Sequence, residues 1–427
     1  MDPLEPRQAV VIIHGIGEQV PMKTLRDFVQ AVVGRGRDPS FNGRAESKPD
    51  HISPTLELRR MAVPGQGEWT PGAWVSTDFY ELYWAHLMTG TAWQHVSAWV
   101  ARLLLRNPGA VPARLKAAWV VCWCAVIAAV FVLLRSFGMG EVTLSWSALF
   151  AATVAAVIWL CRQTATYFGL QYAGDAARYL SPRPENVGVR HAIRCAAIEL
   201  LEGLHDDPTW RRYDRIIVVG HSLGSVIAYD ALTHLWQRRH RPKPDYPPCK
   251  KDLATDESQD TQSVMWREQR CIGVEWKITN FVTLGSPLAH ASFLMADGPS
   301  DLAERVSQRE FPTCPPQPND GRDIQYGKPL LVAKNGGTLL HHAALFACTR
   351  WTNLYFEKDI IGGAIEDLGH GINNRRLEPR GFFPHTKYWS PHTDPKPLRE
   401  ALDLCDWWKF EANASTAIRS RRTASQG

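Results

Sequence analysis

Arg215-Ile-Ile-Val-Val-Gly-His-Ser-Leu-Gly-Ser-Val-Ile-Ala-Tyr-Asp-Ala-Leu232 is the stretch on which the fold turns. Ile216 to Val219 is an unbroken β-branched run, as a parallel strand buried on both faces requires. Gly220-His-Ser-Leu-Gly224 follows, and then a helix-compatible segment through Leu235. A G-x-S-x-G between strand and helix is the pattern of a nucleophile elbow. Its turn is tight enough that small residues are needed two before and two after the serine. The hydroxyl of Ser222 then stands at a helix N-terminus, where the dipole favours developing negative charge.

Working outward, Ala9 to Ile13 is a second short apolar run, leading into His14-Gly15-Ile16-Gly17-Glu18-Gln19. A strand ending in His-Gly suits one backbone donor of an oxyanion hole, supplied by Gly15 or Ile16; the other donor is Leu223, the residue after the nucleophile. A dinucleotide loop would need a third glycine where Val20 stands. Ile278 to Leu284 reads as another core strand, and Ser286 beyond it lacks the second glycine of an elbow. Trp351 to Phe356 is the next strand, and Asp359 just after it fits the acid that orients a base. The base follows in the chain among His370, His385 and His392. The apolar approach Phe382-Phe383-Pro384 favours His385, with His392 as the alternative base, while His370 lies too close to Asp359 for a separate late element. His14, His221, His341 and His342 read as structural.

Two other runs are uncharged: Ala117 to Leu134 and Val142 to Cys161. At 1.5 Å per residue, about 18 to 20 helical residues cover roughly 30 Å of hydrocarbon. A short glycine-containing link joins the runs, so the sequence predicts an antiparallel transmembrane hairpin with helices at about 117–134 and 142–161. Arg102, Arg106, Arg114 and Lys116 precede it and Arg162 and Arg178 follow it, which places both flanks, and the catalytic domain, on the cytoplasmic side. The competing reading makes these runs helices of a buried cap. Trp93 to Leu105 reads as a helix on the membrane surface or in the cap.

The chain has 427 residues, 45% hydrophobic and 21% charged, an ordinary globular composition. A net charge of +5 with no concentrated basic stripe argues against a nucleic-acid partner. Nine cysteines without C-x-x-C pairs argue against a disulfide framework or zinc ribbon, and H-E-x-x-H is absent, so no catalytic metal is expected. Met1 to Arg7 lacks signal-peptide character. Pro39 to Pro54, Arg238 to Gln269 and Pro312 to Lys328 read as polar surface insertions. The resulting organisation is a first core part at 8–92, a membrane-associated insertion at 93–177, the rest of the core at 178–411 and a mobile basic tail at 412–427.

These motifs together resemble the α/β-hydrolase superfamily, in particular its lipase-like serine esterases. The resemblance rests on the His14-Gly15 loop, the Gly220 to Gly224 elbow, the segment Val282 to Leu288 and the region Asp359 to His385. It implies a mostly parallel central sheet flanked by helices, a Ser222–His385–Asp359 triad and no cofactor. The hairpin before the nucleophile strand departs from the pattern. A membrane-held esterase meets acyl lipids, so the expected substrate is a lipid ester and the expected partner a lipid bilayer. Rival readings are a non-catalytic membrane-bound interaction protein on the same fold, and thioesterase, acyltransferase or peptidase chemistry on the same triad.

Overall fold

The computed structural model describes residues 7–16, 20–34, 45–53, 58–65, 74–88, 104–111, 179–180, 184–206, 213–239, 276–316, 331–334, 337–340, 345–378, 384–391 and 393–405, with isolated positions between 113 and 127. Its strands are β1 (Arg7–Ile13), β2 (Glu46–Pro49), β3 (Arg59–Val63), β4 (Ser76–Leu82), β5 (Arg215–His221), β6 (Ile278–Leu284), β7 (Leu331–Lys334), β8 (Gly337–Leu340), β9 (Arg350–Phe356) and β10 (Asn373–Leu377). Eight of them form one sheet in the order β10-β9-β6-β5-β1-β4-β3-β2, and β7 and β8 pair separately. From β10 to β4 every neighbour is parallel; β3 and β2 add antiparallel at one edge. The architecture is therefore α/β with a mostly parallel mixed sheet.

The helices that matter are α1 (Lys23–Val33), α2 (Pro184–Asp206), α3 (Leu223–Arg239), α4 (Pro299–Ser307) and α5 (Lys396–Leu402). Parallel strands are buried on both faces, and alternation along each strand shares its side chains between two layers. Val10, Ile12, Ile217, Val219, Val282, Leu284, Leu354 and Phe356 pack with Leu25, Phe28 and Val32 of α1 and with Leu398 and Leu402 of α5. Residues of the opposite parity face the other way. There Trp351 stacks on Phe346 with ring centroids 4.8 Å apart and lies 5.7 Å from Tyr229 of α3.

At the end of the sheet where the parallel strands begin, Arg215 is fully buried and still charged, with burial pulling its pKa down to about 9. Its guanidinium donates to Gln8, Thr279 and Asn280 and to the carbonyls of Leu402 and Asp403 at 2.6–3.0 Å. It thus binds the C-terminal carbonyls of α5, where a cation also opposes the helix dipole.

The polar stretch Pro39 to Pro54, read from sequence as a surface insertion, contributes β2. It is an edge strand, three of whose four residues are exposed, and this explains the absence of an apolar signal. The chain divides into two compact units. One is Met1–Gly15, Gln19–Trp84 and His191–Gly427; the other is Ile16–Glu18 and Ala85–Arg190, which contains the interval 93–177. Of the expected spans 117–134 and 142–161, only 119, 120, 123, 124, 126 and 127 are described, and these positions are helical. Among the described residues no helix is long and apolar enough to cross a membrane. The tail 412–427 and His392 lie outside the described residues.

Candidate active site

The chain leaves β1 toward β4 on one side and leaves β5 toward β6 on the other. Between β1 and β5, neighbouring connections therefore diverge at the carboxyl ends of the strands, and such a switch point is where open α/β sheets bind ligands. His14 and Gly15 leave β1 there, and Ser222 leaves β5.

Ser222 has φ 52°, the left-handed region that a side chain rarely occupies without a compensating purpose. Its amide donates to the Leu284 carbonyl at 3.0 Å, and its own carbonyl accepts from the Ser225 amide at 2.9 Å and the Ser225 hydroxyl at 2.6 Å. The turn is pinned on both sides. Gly224 is obligatory: a Cβ there would stand 2.2 Å from the Ile13 carbonyl oxygen. Ser286 has a different setting. It is fully buried, accepts from the Leu288 amide and donates to Ser225 Oγ at 2.6 Å, thereby supporting the elbow from β6.

His385 lies in a short 3-10 turn, Pro384–Thr386. Its Nε2 is 2.9 Å from Ser222 Oγ and its Nδ1 is 2.8 Å from Asp359 Oδ2. A carboxylate can only accept, so the proton sits on Nδ1, leaving Nε2 to accept from the serine hydroxyl. Asp359 follows β9 in a turn closed by its amide on the Phe356 carbonyl. Its Oδ1 accepts from the Ile361 amide at 3.0 Å, and its Oδ2 also accepts from the Tyr388 hydroxyl at 2.8 Å. Burial alone would raise the Asp359 pKa. The His385 hydrogen bond and charge, with donors from Tyr388 and Gly362, outweigh it and hold the carboxyl below its ordinary value. Ser222 is buried at 3% exposure, while the His385 side chain keeps 14%.

The loop after β1 closes on the serine. A Cβ on Gly15 would stand 2.9 Å from Ser222 Cβ, so only a glycine allows the loop backbone this near Ser222. His14 is buried, with its ring stacked on Trp84 at 5.0 Å. The Trp84 amide donates to His14 Nε2 at 3.3 Å and the indole N–H to the His14 carbonyl at 3.0 Å. With Nε2 accepting, Nδ1 carries the proton and donates to the Gly15 carbonyl at 2.7 Å. Leu223 is buried as the first residue of α3, and Ile16 is buried where the second unit begins.

The structure thus brings Ser222, His385, Asp359, Gly15 and Leu223 to one end of the sheet. His370 is exposed on the turn before β10. Sequence reading gives no role to Tyr388 or Trp84 and takes His221 as structural. Tyr388 sits three residues after His385 in the Lys-Tyr-Trp stretch, and nothing in its residue type announces a bond to an acid 29 positions away. Among the described residues no cluster of three or more His, Cys, Asp or Glu is arranged to hold a metal. Comparisons with protein-family models, curated proteins and solved structures give no match.

Proposed function

We propose that this chain is a serine hydrolase of the α/β-hydrolase type that cleaves carboxylic esters, held at a membrane and acting on acyl lipids. The observation that carries the chemistry is the line from Asp359 through His385 to Ser222, with bonds of 2.8 and 2.9 Å converging on a serine of left-handed backbone. In this reading His385 Nε2 takes the hydroxyl proton as Ser222 Oγ attacks the ester carbonyl. Asp359, already ionised, stabilises the imidazolium that forms. The carbonyl oxygen becomes an oxyanion beside the Leu223 amide and a donor from the Gly15–Ile16 segment, and each such donor is worth about 3 kcal/mol in the transition state. Collapse returns the proton through His385 to the leaving alcohol and leaves an acyl-serine. Water, deprotonated by the same imidazole, then releases the acid.

The sheet order supports the hydrolase fold, because the nucleophile strand β5 is central and the acid and base follow it in the chain. The membrane part draws on the uncharged runs at 117–134 and 142–161. Val120, Val126 and Ile127 within the first run are helical and exposed, as lipid-facing side chains would be. Substrate class follows from that location rather than from the pocket.

Labelling by a fluorophosphonate probe tests the chemistry. The intact chain should take up the probe stoichiometrically and Ser222→Ala should take up none. Undiminished labelling of the variant would move the nucleophile elsewhere, and a parent chain that never labels would end the hydrolase reading.

A further inference from the structure

The proton relay uses the side chains of His385 and Asp359, but it works only if the main chain bearing His385 stays in place. That main chain belongs to a three-residue 3-10 turn outside the sheet. His221, the residue immediately before the nucleophile, touches it directly. His221 Nε2 lies 2.9 Å from the His385 carbonyl oxygen. Since a carbonyl only accepts, the His221 proton is on Nε2 and the bond runs from the elbow to the base-bearing turn.

The ring is fixed on its other sides as well. Trp389 meets it edge-on with centroids 4.7 Å apart, and the rings of His385 and Tyr388 lie at 5.1 and 5.7 Å. A Cβ on Gly15 would come within 3.0 Å of His221 Nδ1, so the same ring borders the loop after β1. Burial first, then the neighbouring His385, push the His221 pKa down to about 3, which keeps the ring neutral near neutral pH. A neutral imidazole donates one bond here and adds no charge to repel a His385 imidazolium.

We propose that His221 is a positioning residue: its Nε2–H ties the His385 main chain to the end of β5, so that the His385 imidazole is held against Ser222 Oγ. This inference deepens the serine-hydrolase reading and rests on it. The physical reason is leverage. An imidazole reaches its partner through two rotatable bonds, and a displacement of about 1 Å at a reacting atom can cost roughly a hundredfold in rate.

The test compares His221→Phe, which keeps an aromatic ring and removes the donor, with His221→Gln, whose amide can still donate to the His385 carbonyl. His221→Asn, too short to reach it, serves if the phenylalanine variant does not fold. Two quantities are measured on the full chain: the fluorophosphonate labelling rate as a function of pH, and the low-field proton resonance of the His385–Asp359 hydrogen bond. We expect His221→Phe or His221→Asn to label at least about tenfold more slowly with the low-field resonance broadened or lost, and His221→Gln to recover to within about threefold. Parental labelling and an unchanged resonance in the donor-less variants would overturn the inference, as would a glutamine variant as slow as they are. If the parent shows the low-field resonance but never labels, the hydrolase reading fails while the effect of His221 on that resonance still decides the positioning role.

Discussion

Asp359 receives more hydrogen bonds than orientation of a histidine demands. Beyond His385 it accepts from the Ile361 amide and from the Tyr388 hydroxyl, and that hydroxyl in turn accepts from the Phe356 amide at 3.2 Å. Tyr388 therefore closes the turn after β9 and keeps the acid ionised in a buried place. Tyr388→Phe would remove one donor from Asp359 and strand the Phe356 N–H, a buried group whose unsatisfied cost is about 1–3 kcal/mol. The expected outcome is a stability loss of that size in denaturant titration, together with a several-fold slower fluorophosphonate reaction. Unchanged stability and rate would mean that the hydroxyl is dispensable to the turn.

Among the elements, β4 and α1 show how a polar residue can fix a helix. Glu81 on β4 is buried, and its Oε2 accepts from the Met22 amide at 2.9 Å, just before the first turn of α1. Its Oε1 is buried without a hydrogen-bond partner among the described residues. Burial raises the carboxyl from 4.5 to about 7 against the opposing pull of the Met22 and Leu25 amides. A carboxyl whose folded value is raised binds its proton more tightly folded than unfolded. Its stabilising contribution is complete below the unfolded value and is lost as pH rises through the folded one. Glu81→Gln keeps an acceptor for Met22 and cannot ionise. Melting temperatures of parent and variant, compared at the two ends of the window from 4.5 to about 7, should show the parent losing ground to the variant as pH rises. A constant difference across that window would show that Glu81 does not titrate there.

The same residue explains what could be read in the sequence and what could not. The strands β1, β5, β6 and β9 are legible because each of these central parallel strands carries an apolar stretch, at 9–13, 216–219, 281–282 and 354–356, shortly before its chemistry-bearing turn. In contrast, β4 carries Asp78 and Glu81 and β10 carries Asn374, Arg375 and Arg376, so neither shows an apolar run. Partners outside these strands satisfy two of their polar groups, Asp78 through Arg60 and Tyr213 and Asn374 through Asn353 and the Ile365 backbone. The elbow and the His14-Gly15 loop were legible because close backbone approach leaves glycine no substitute. Which late histidine meets Ser222 is legible only from the apolar approach Phe382-Phe383-Pro384 and the distance from Asp359 along the chain, and the supports behind it, Tyr388 and His221, depend on tertiary contacts that no local pattern encodes.

At the scale of the whole molecule, the residues of the proposed relay are distributed differently from the apolar runs. Ser222, Asp359, His385, Gly15 and Leu223 all belong to the unit built from Met1–Gly15, Gln19–Trp84 and His191–Gly427, whereas 117–134 and 142–161 both fall within Ala85–Arg190. Anchoring and chemistry should therefore be separable. Exposed Val120, Val126 and Ile127 on helical positions would be unfavourable in water, at roughly 25 cal/mol for each Å² of apolar surface, and cost nothing in hydrocarbon. Carbonate extraction of membranes should leave the intact chain in the pellet. Deleting 117–161 should release it while leaving labelling of Ser222 intact, since no residue of the relay is removed. Release of the intact chain by carbonate would instead assign both runs to a cap. Retention with loss of labelling on deletion would mean that the apolar pair shapes the site and does not only anchor it.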